Sequence, residues 1–222
     1  MGSWLTLNAA DGNNLSAYRA DPEGAARGAV VVLQEIFGVN SHIRAVCDRL
    51  AAAGYVAVAP ALFDRFVRNF ETGYSPEEVA AARKYLQNLD WDALIRDTEA
   101  AVAAVRPVGS VAVVGFCLGG SLAYLAALRI DGLAAAVGYY GGQVARYADE
   151  KPRCPVQLHF GETDHSIPLS DVETVRAKRP ETPVYIYPAG HGFNCDERAA
   201  FHAPSAAMAW SRTLGFLARQ VG

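Results

Sequence analysis

An excess of charge of either sign is missing from this sequence. Twenty Lys and Arg stand against 23 Asp and Glu, a formal net charge of -3, and neither sign gathers into a long block. A nucleic-acid binder would show a basic stripe, so no nucleic-acid partner is expected. Cysteine is also sparse. Cys47, Cys117, Cys154 and Cys195 are far apart, with no CxxC pair for zinc and too low a density for a disulfide scaffold. Reduced thiols in a cytoplasmic protein fit that usage. The opening residues, MGSWLTLNAADG, lack the basic start and apolar run of a secretory signal. Gly2 and Thr6 fit the short myristoylation pattern, but no polybasic stretch supplies the second membrane signal. One long uncharged run exists, Pro107 to Leu128, and it is broken by Gly109, Gly115, Gly119 and Gly120. It changes from Val-rich to Ala/Leu-rich halfway, which describes a buried strand running into a packed helix rather than a membrane span. No membrane partner is expected.

What is present suffices for a large core. With 51% of 222 residues apolar, the chain reads as a single domain, 1–222, without repeats or low-complexity linkers. Trp4 to Leu7 and Leu15 to Tyr18 flank a turn-like Asp11-Gly12-Asn13-Asn14 and predict an antiparallel hairpin at a sheet edge. Six continuous apolar runs follow, at Ala29 to Leu33, Tyr55 to Ala59, Ser110 to Phe116, Leu133 to Tyr140, Val156 to Phe160 and Val184 to Pro188. Strands covered on both faces have this signature. Helical stretches separate them: Ser41 to Ala53, Pro76 to Asn88, Trp91 to Val105, Leu118 to Arg129, Leu169 to Lys178 and Ala203 to Arg219. The alternation predicts an α/β fold with a mostly parallel, doubly wound sheet and helices on both faces. Ligands in such sheets sit at the carboxyl ends of the strands, so the residues just after each strand carry the functional information.

After the Ser110 to Phe116 strand stands Gly115-Phe116-Cys117-Leu118-Gly119-Gly120, a G-x-S-x-G nucleophile elbow with cysteine in the serine position. A side chain on so sharp a strand-to-helix turn sits on strained backbone, and small neighbours avoid collision. The turn puts Cys117 at a helix amino end, whose free N–H groups favour a thiolate and a developing oxyanion. A glycine-rich turn around an inert buried cysteine is the competing reading. Two further strand ends bear on that choice. The Val156 to Phe160 run is followed by Gly161-Glu162-Thr163-Asp164, and the Val184 to Pro188 run by Ala189-Gly190-His191-Gly192-Phe193. Nucleophile, acid and histidine at 117, 164 and 191 follow the chain order of an α/β-hydrolase triad. In that reading His191 takes and returns the proton while Asp164 fixes its tautomer. His165, adjacent to the acid in sequence, is the rival base. Glu35 follows the Ala29 to Leu33 strand in the loop that supplies the second oxyanion N–H of a hydrolase, assigned to Ile36 beside Leu118. A carboxylate there would disfavour a free thiolate until substrate disturbs the contact; the bland alternative is a solvated loop carboxylate.

The stretches QEIFG, GFCLGG, GETD and GHGF together resemble the dienelactone hydrolase family in sequence and order, from about Val30 to Phe216. The resemblance implies an α/β-hydrolase that cleaves lactones or enol esters such as carboxymethylenebutenolide. It implies Cys117 as nucleophile, His191 as base, Asp164 as orienting acid, Glu35 as the carboxylate gating the thiol, and Ile36 and Leu118 as oxyanion donors. Well-known members carry an arginine four residues after the triad histidine, where it meets the substrate carboxylate; here that position is Cys195. A neutral ester or another lactone therefore stands beside an anionic dienelactone as substrate. Phe37, Tyr85, Arg83, Phe193 and Arg198 are the residues expected against it. Residues 63–91 read either as a cap over the site or as a packed surface helix pair. No metal or cofactor is expected, and the partner is a small-molecule lactone or ester acting on a monomer or small homo-oligomer. Other readings are a broader carboxylesterase or thioesterase, a peptide-acting hydrolase, or a non-catalytic redox-responsive thiol protein.

Overall fold

The computed structural model describes residues 2–222 and every side chain among them except that of Asn88. It forms two compact units, residues 1–111 and 112–222.

In the first unit, β1 (Ser3–Asn8) and β2 (Asn14–Ala20) make the expected antiparallel hairpin, with Leu7 opposite Leu15 and Asn8 opposite Asn14. β2 runs antiparallel to β4 (Val56–Pro60), which in turn pairs parallel with β3 (Ala29–Leu33), giving the order β1-β2-β4-β3. Every residue of β3 and β4 is buried, so both faces are covered. α1 (Ser41–Ala52) packs on β2, β3 and β4, and α3 (Trp91–Val105) on β1, β3 and β4. Both helices begin on a side-chain cap, Asn40 accepting from the Ile43 amide and Asp90 from those of Asp92 and Ala93. The hairpin turn is tied to α3 through buried Asp97, which accepts from Asn13 Nδ2 at 3.1 Å and from Arg65 Nε at 2.6 Å.

Between β4 and α3 the chain makes a short 3₁₀ turn at Leu62–Arg65 and then α2 (Pro76–Arg83). α2 starts on a capping box in which Ser75 and Glu78 bond each other's backbone. The predicted helix to Asn88 tightens to 3₁₀ geometry over Lys84–Asn88. Phe63, Phe66, Phe70 and Tyr85 cluster there, Tyr85 meeting Phe70 at 4.9 Å and Phe63 at 5.5 Å between ring centres. Phe63 is its fully buried member.

In the second unit, β5 (Val111–Phe116), β6 (Ala135–Tyr139), β7 (Val156–Gly161) and β8 (Val184–Tyr187) follow one another in parallel. β5, β6 and β7 are buried throughout, and α4 (Leu118–Arg129) and α6 (Ala203–Gln220) pack on β6. α5 (Leu169–Lys178) follows the loop after β7. β6 begins two residues later than its apolar run because Asp131-Gly132 turns there, Gly132 holding φ +73°. Fully buried His159 fills the middle of this core, between Tyr187 Oη at 2.8 Å from Nδ1 and Gln157 Nε2 at 2.9 Å from Nε2. Burial and the nearby Arg212 guanidinium pull it down to about 3, so it is neutral at physiological pH. No helix among the described residues is long and apolar enough to cross a membrane.

Candidate active site

Cys117 stands between β5 and α4 with φ +54° and ψ -111°, a conformation that costs a non-glycine residue about 1–3 kcal/mol. The turn is sharp enough that side chains on its flanks are excluded. A Cβ on Gly115 would collide with the carbonyl oxygen of Gly119, and one on Gly120 with that of Tyr139. The Cys117 amide donates to Tyr139 O at 3.0 Å, and the Ser121 amide closes the first helical turn on Cys117 O at 3.1 Å. Leu118, Gly119 and Gly120 are the first three residues of α4, whose amides have no acceptor within the helix. They form a positive end beside the sulfur.

The three groups expected from distant strand ends meet in this unit. His191 Nε2 lies 3.2 Å from Cys117 Sγ, and His191 Nδ1 lies 2.8 Å from Asp164 Oδ2. The other oxygen of Asp164 accepts from the Ser166 and Ile167 amides at 2.8 and 3.2 Å, so the buried carboxylate is fixed on both sides. The acid and histidine loops are bonded to each other: the Glu162 amide donates to Tyr187 O and the Thr163 amide to Ala189 O. Burial by itself would lower the His191 pKa. The bonds to Asp164 and Cys117 outweigh it and carry the imidazole up to about 10. His191 therefore holds its proton through neutral pH while touching the sulfur. His165, the rival base, is exposed and faces neither partner.

Glu35 and Ile36 lie buried in the turn after β3 in the first unit. Phe37 is also buried, with its ring edge-on to Tyr74 at 4.6 Å. Tyr85 belongs to the aromatic cluster and Arg83 is exposed at the end of α2. Phe193 has no exposed surface and is packed between Tyr140 and Tyr187, which makes it a core residue in this conformation rather than a pocket wall. Cys195, at the position of the family arginine, is buried. The Arg198 guanidinium lies against Gly192, next in chain to the histidine. Cys47 is wholly buried and Cys154 half-buried, and burial pushes the Cys154 thiol up to about 11. Sequence reading missed the Tyr139-Tyr140 pair, which carries the acceptor for the Cys117 amide and a ring 5.0 Å from the His191 ring. The signal was the one used elsewhere: they stand at the carboxyl end of a strand.

The dienelactone hydrolase family model matches residues 15–221. A carboxymethylenebutenolidase of Pseudomonas putida is 33% identical, the match covering 96% of this chain and 95% of that one. A Synechocystis protein provisionally named carboxymethylenebutenolidase is 36% identical over 89% of each chain. A crystal structure from Klebsiella pneumoniae, provisionally named a dienelactone hydrolase, has a TM-score of 0.84 at 30% identity, covering 98% of this chain and 99% of that one. The chain belongs to the dienelactone hydrolase family: it has the α/β-hydrolase fold and is a hydrolase of lactone or ester bonds.

Proposed function

We propose that the protein cleaves a small lactone or ester through a covalent thioester on Cys117. The observation that carries this reading is the continuous contact from Cys117 Sγ through His191 to Asp164. With His191 protonated at rest, the sulfur attacks the acyl carbon directly. The carbonyl electron pair moves onto oxygen, where the Leu118 amide at the start of α4 meets it. The tetrahedral species collapses, the C–O bond breaks, and His191 Nε2 delivers its proton to the leaving oxygen. In a lactone that oxygen stays tethered to the acyl chain, so the ring opens. His191, now neutral, takes a proton from water, whose oxygen attacks the thioester. The carboxylic acid leaves and the sulfur–imidazolium pair is restored. Asp164 holds the Nδ1 proton throughout and stabilises the positive ring.

The family resemblance implies Ile36 N–H as second oxyanion donor and Glu35 as the carboxylate that gates the thiol, while residues 63–91, with their aromatic cluster, form either a cap or a packed surface helix pair. The family match runs through both units, which supports reading 1–222 as one catalytic domain. Cys117→Ala should abolish turnover of p-nitrophenyl acetate while leaving the circular dichroism spectrum unchanged. Parental turnover in purified Cys117→Ala would exclude this site.

A further inference from the structure

The geometry points to Tyr140 as a positioning residue that holds the His191 imidazole in line while its bond to the sulfur is broken. This rests on the cysteine mechanism above. Tyr140 directly follows β6 and has φ +38°, a region that bulky residues avoid. Within residues 112–222 only Cys117 shares that condition among non-glycine residues. Strain of this kind persists only where surrounding contacts enforce it. Here they are evident. The Tyr140 amide donates to His159 O at 2.7 Å, and the preceding carbonyl, Tyr139 O, accepts from Cys117 N. On the other side, Gly141 is pressed onto the start of α4, where a Cβ would meet Gly120 C and Ser121 N, and the Gln143 amide bonds Ser121 Oγ at 3.1 Å. The backbone is thus pinned at both ends, and the strained residue sends a wholly buried ring against the histidine.

That ring lies 5.0 Å from the His191 ring at 58°, and is itself backed by Phe193 at 5.5 Å. The two hydrogen bonds of His191 lie along its ring-nitrogen directions. They fix its position in the ring plane and leave tilting out of that plane to packing. In the acyl-enzyme the sulfur is esterified and the Nε2 contact is lost. His191 must then hold water with Asp164 as its sole bonded partner, and the Tyr140 ring remains as its wall. The effect of losing the ring should therefore fall on deacylation.

The test uses Tyr140→Phe, which keeps the ring without the hydroxyl, and Tyr140→Leu and Tyr140→Met, which replace the ring by smaller apolar chains, unbranched at Cβ, with the same backbone demand. With p-nitrophenyl acetate, Leu and Met should lower kcat about tenfold, a modest fraction of what a 1 Å misplacement can cost. The initial nitrophenol burst should survive and KM should not rise. Phe should retain at least half of kcat. A role confined to core packing would lower the melting temperature and leave kcat per folded chain at the parental value, which overturns the inference. So would a Phe variant as slow as Leu, since the ring would then not be the holding group. Failure of the cysteine mechanism is separable: it appears as turnover in Cys117→Ala, whatever the Tyr140 variants do.

Discussion

Replacing Asp164 by Asn tests the histidine's orientation with little change of shape. Asparagine can keep its oxygen on the Ser166 and Ile167 amides, which now hold Asp164 Oδ1 at 2.8 and 3.2 Å. Its NH₂ group then faces His191 Nδ1, where a carboxylate oxygen sat at 2.8 Å. Two donors cannot face each other, so Nδ1 must become the acceptor and the ring proton moves to Nε2. In the acyl-enzyme that neutral tautomer cannot take a proton from water. The same exchange in a serine-protease triad lowers kcat about 10⁴-fold, or roughly 5.5 kcal/mol of barrier. We expect a loss of that order with p-nitrophenyl acetate. Stability changes with a definite sign. His191 is raised from 6.5 to about 10, so the stability it contributes is complete below pH 6.5 and is lost as pH rises through about 10. The charge-assisted bond to Asp164 contributes on the order of 1.5–3 kcal/mol. The melting temperature of Asp164→Asn should thus lie furthest below the parent at pH 6 and approach it above pH 10. Turnover within tenfold of the parent, or a stability gap that widens with pH, would mean that Asp164 does not set the histidine's tautomer.

Two further substitutions separate site from scaffold. Gly115→Ala puts a methyl group into the Gly119 carbonyl and should destabilise by at least about 3 kcal/mol, lowering the melting temperature by roughly 10 °C; a shift below 2 °C would mean that the elbow yields easily. His165→Ala should leave kcat within twofold, because that side chain is exposed and outside the chain of bonds; a loss larger than that of His191→Ala would move the base to residue 165.

The hairpin and the buried strands were legible because their apolar period follows from which faces are covered, and Ala29–Leu33 and Trp91–Val105 begin and end where the pattern does. The contact from Cys117 through His191 to Asp164 was legible for another reason. All three residues stand within four positions of a strand end, so topology brings them to one end of the parallel strands. The tightening at Lys84–Asn88 was not, since the Tyr85 contacts with Phe63 and Phe70 join residues remote in sequence. Nor was the burial of Phe193: an aromatic residue two places after the histidine looks like a pocket wall until Tyr140 and Tyr187 are seen on either side of it. The positive φ of Tyr140 comes from neighbouring backbone pressed against α4, which no residue pattern displays.

The proposed reaction requires a covalent bond between substrate and the sulfur of Cys117. Quenching the reaction with excess p-nitrophenyl acetate in acid during the burst, then mapping peptides by mass spectrometry, observes that bond itself. One acetyl group is expected, on the peptide carrying Cys117 and removable by hydroxylamine. Continued turnover with acetyl on a different side chain, or with none at any time during the burst, would contradict the proposed reaction.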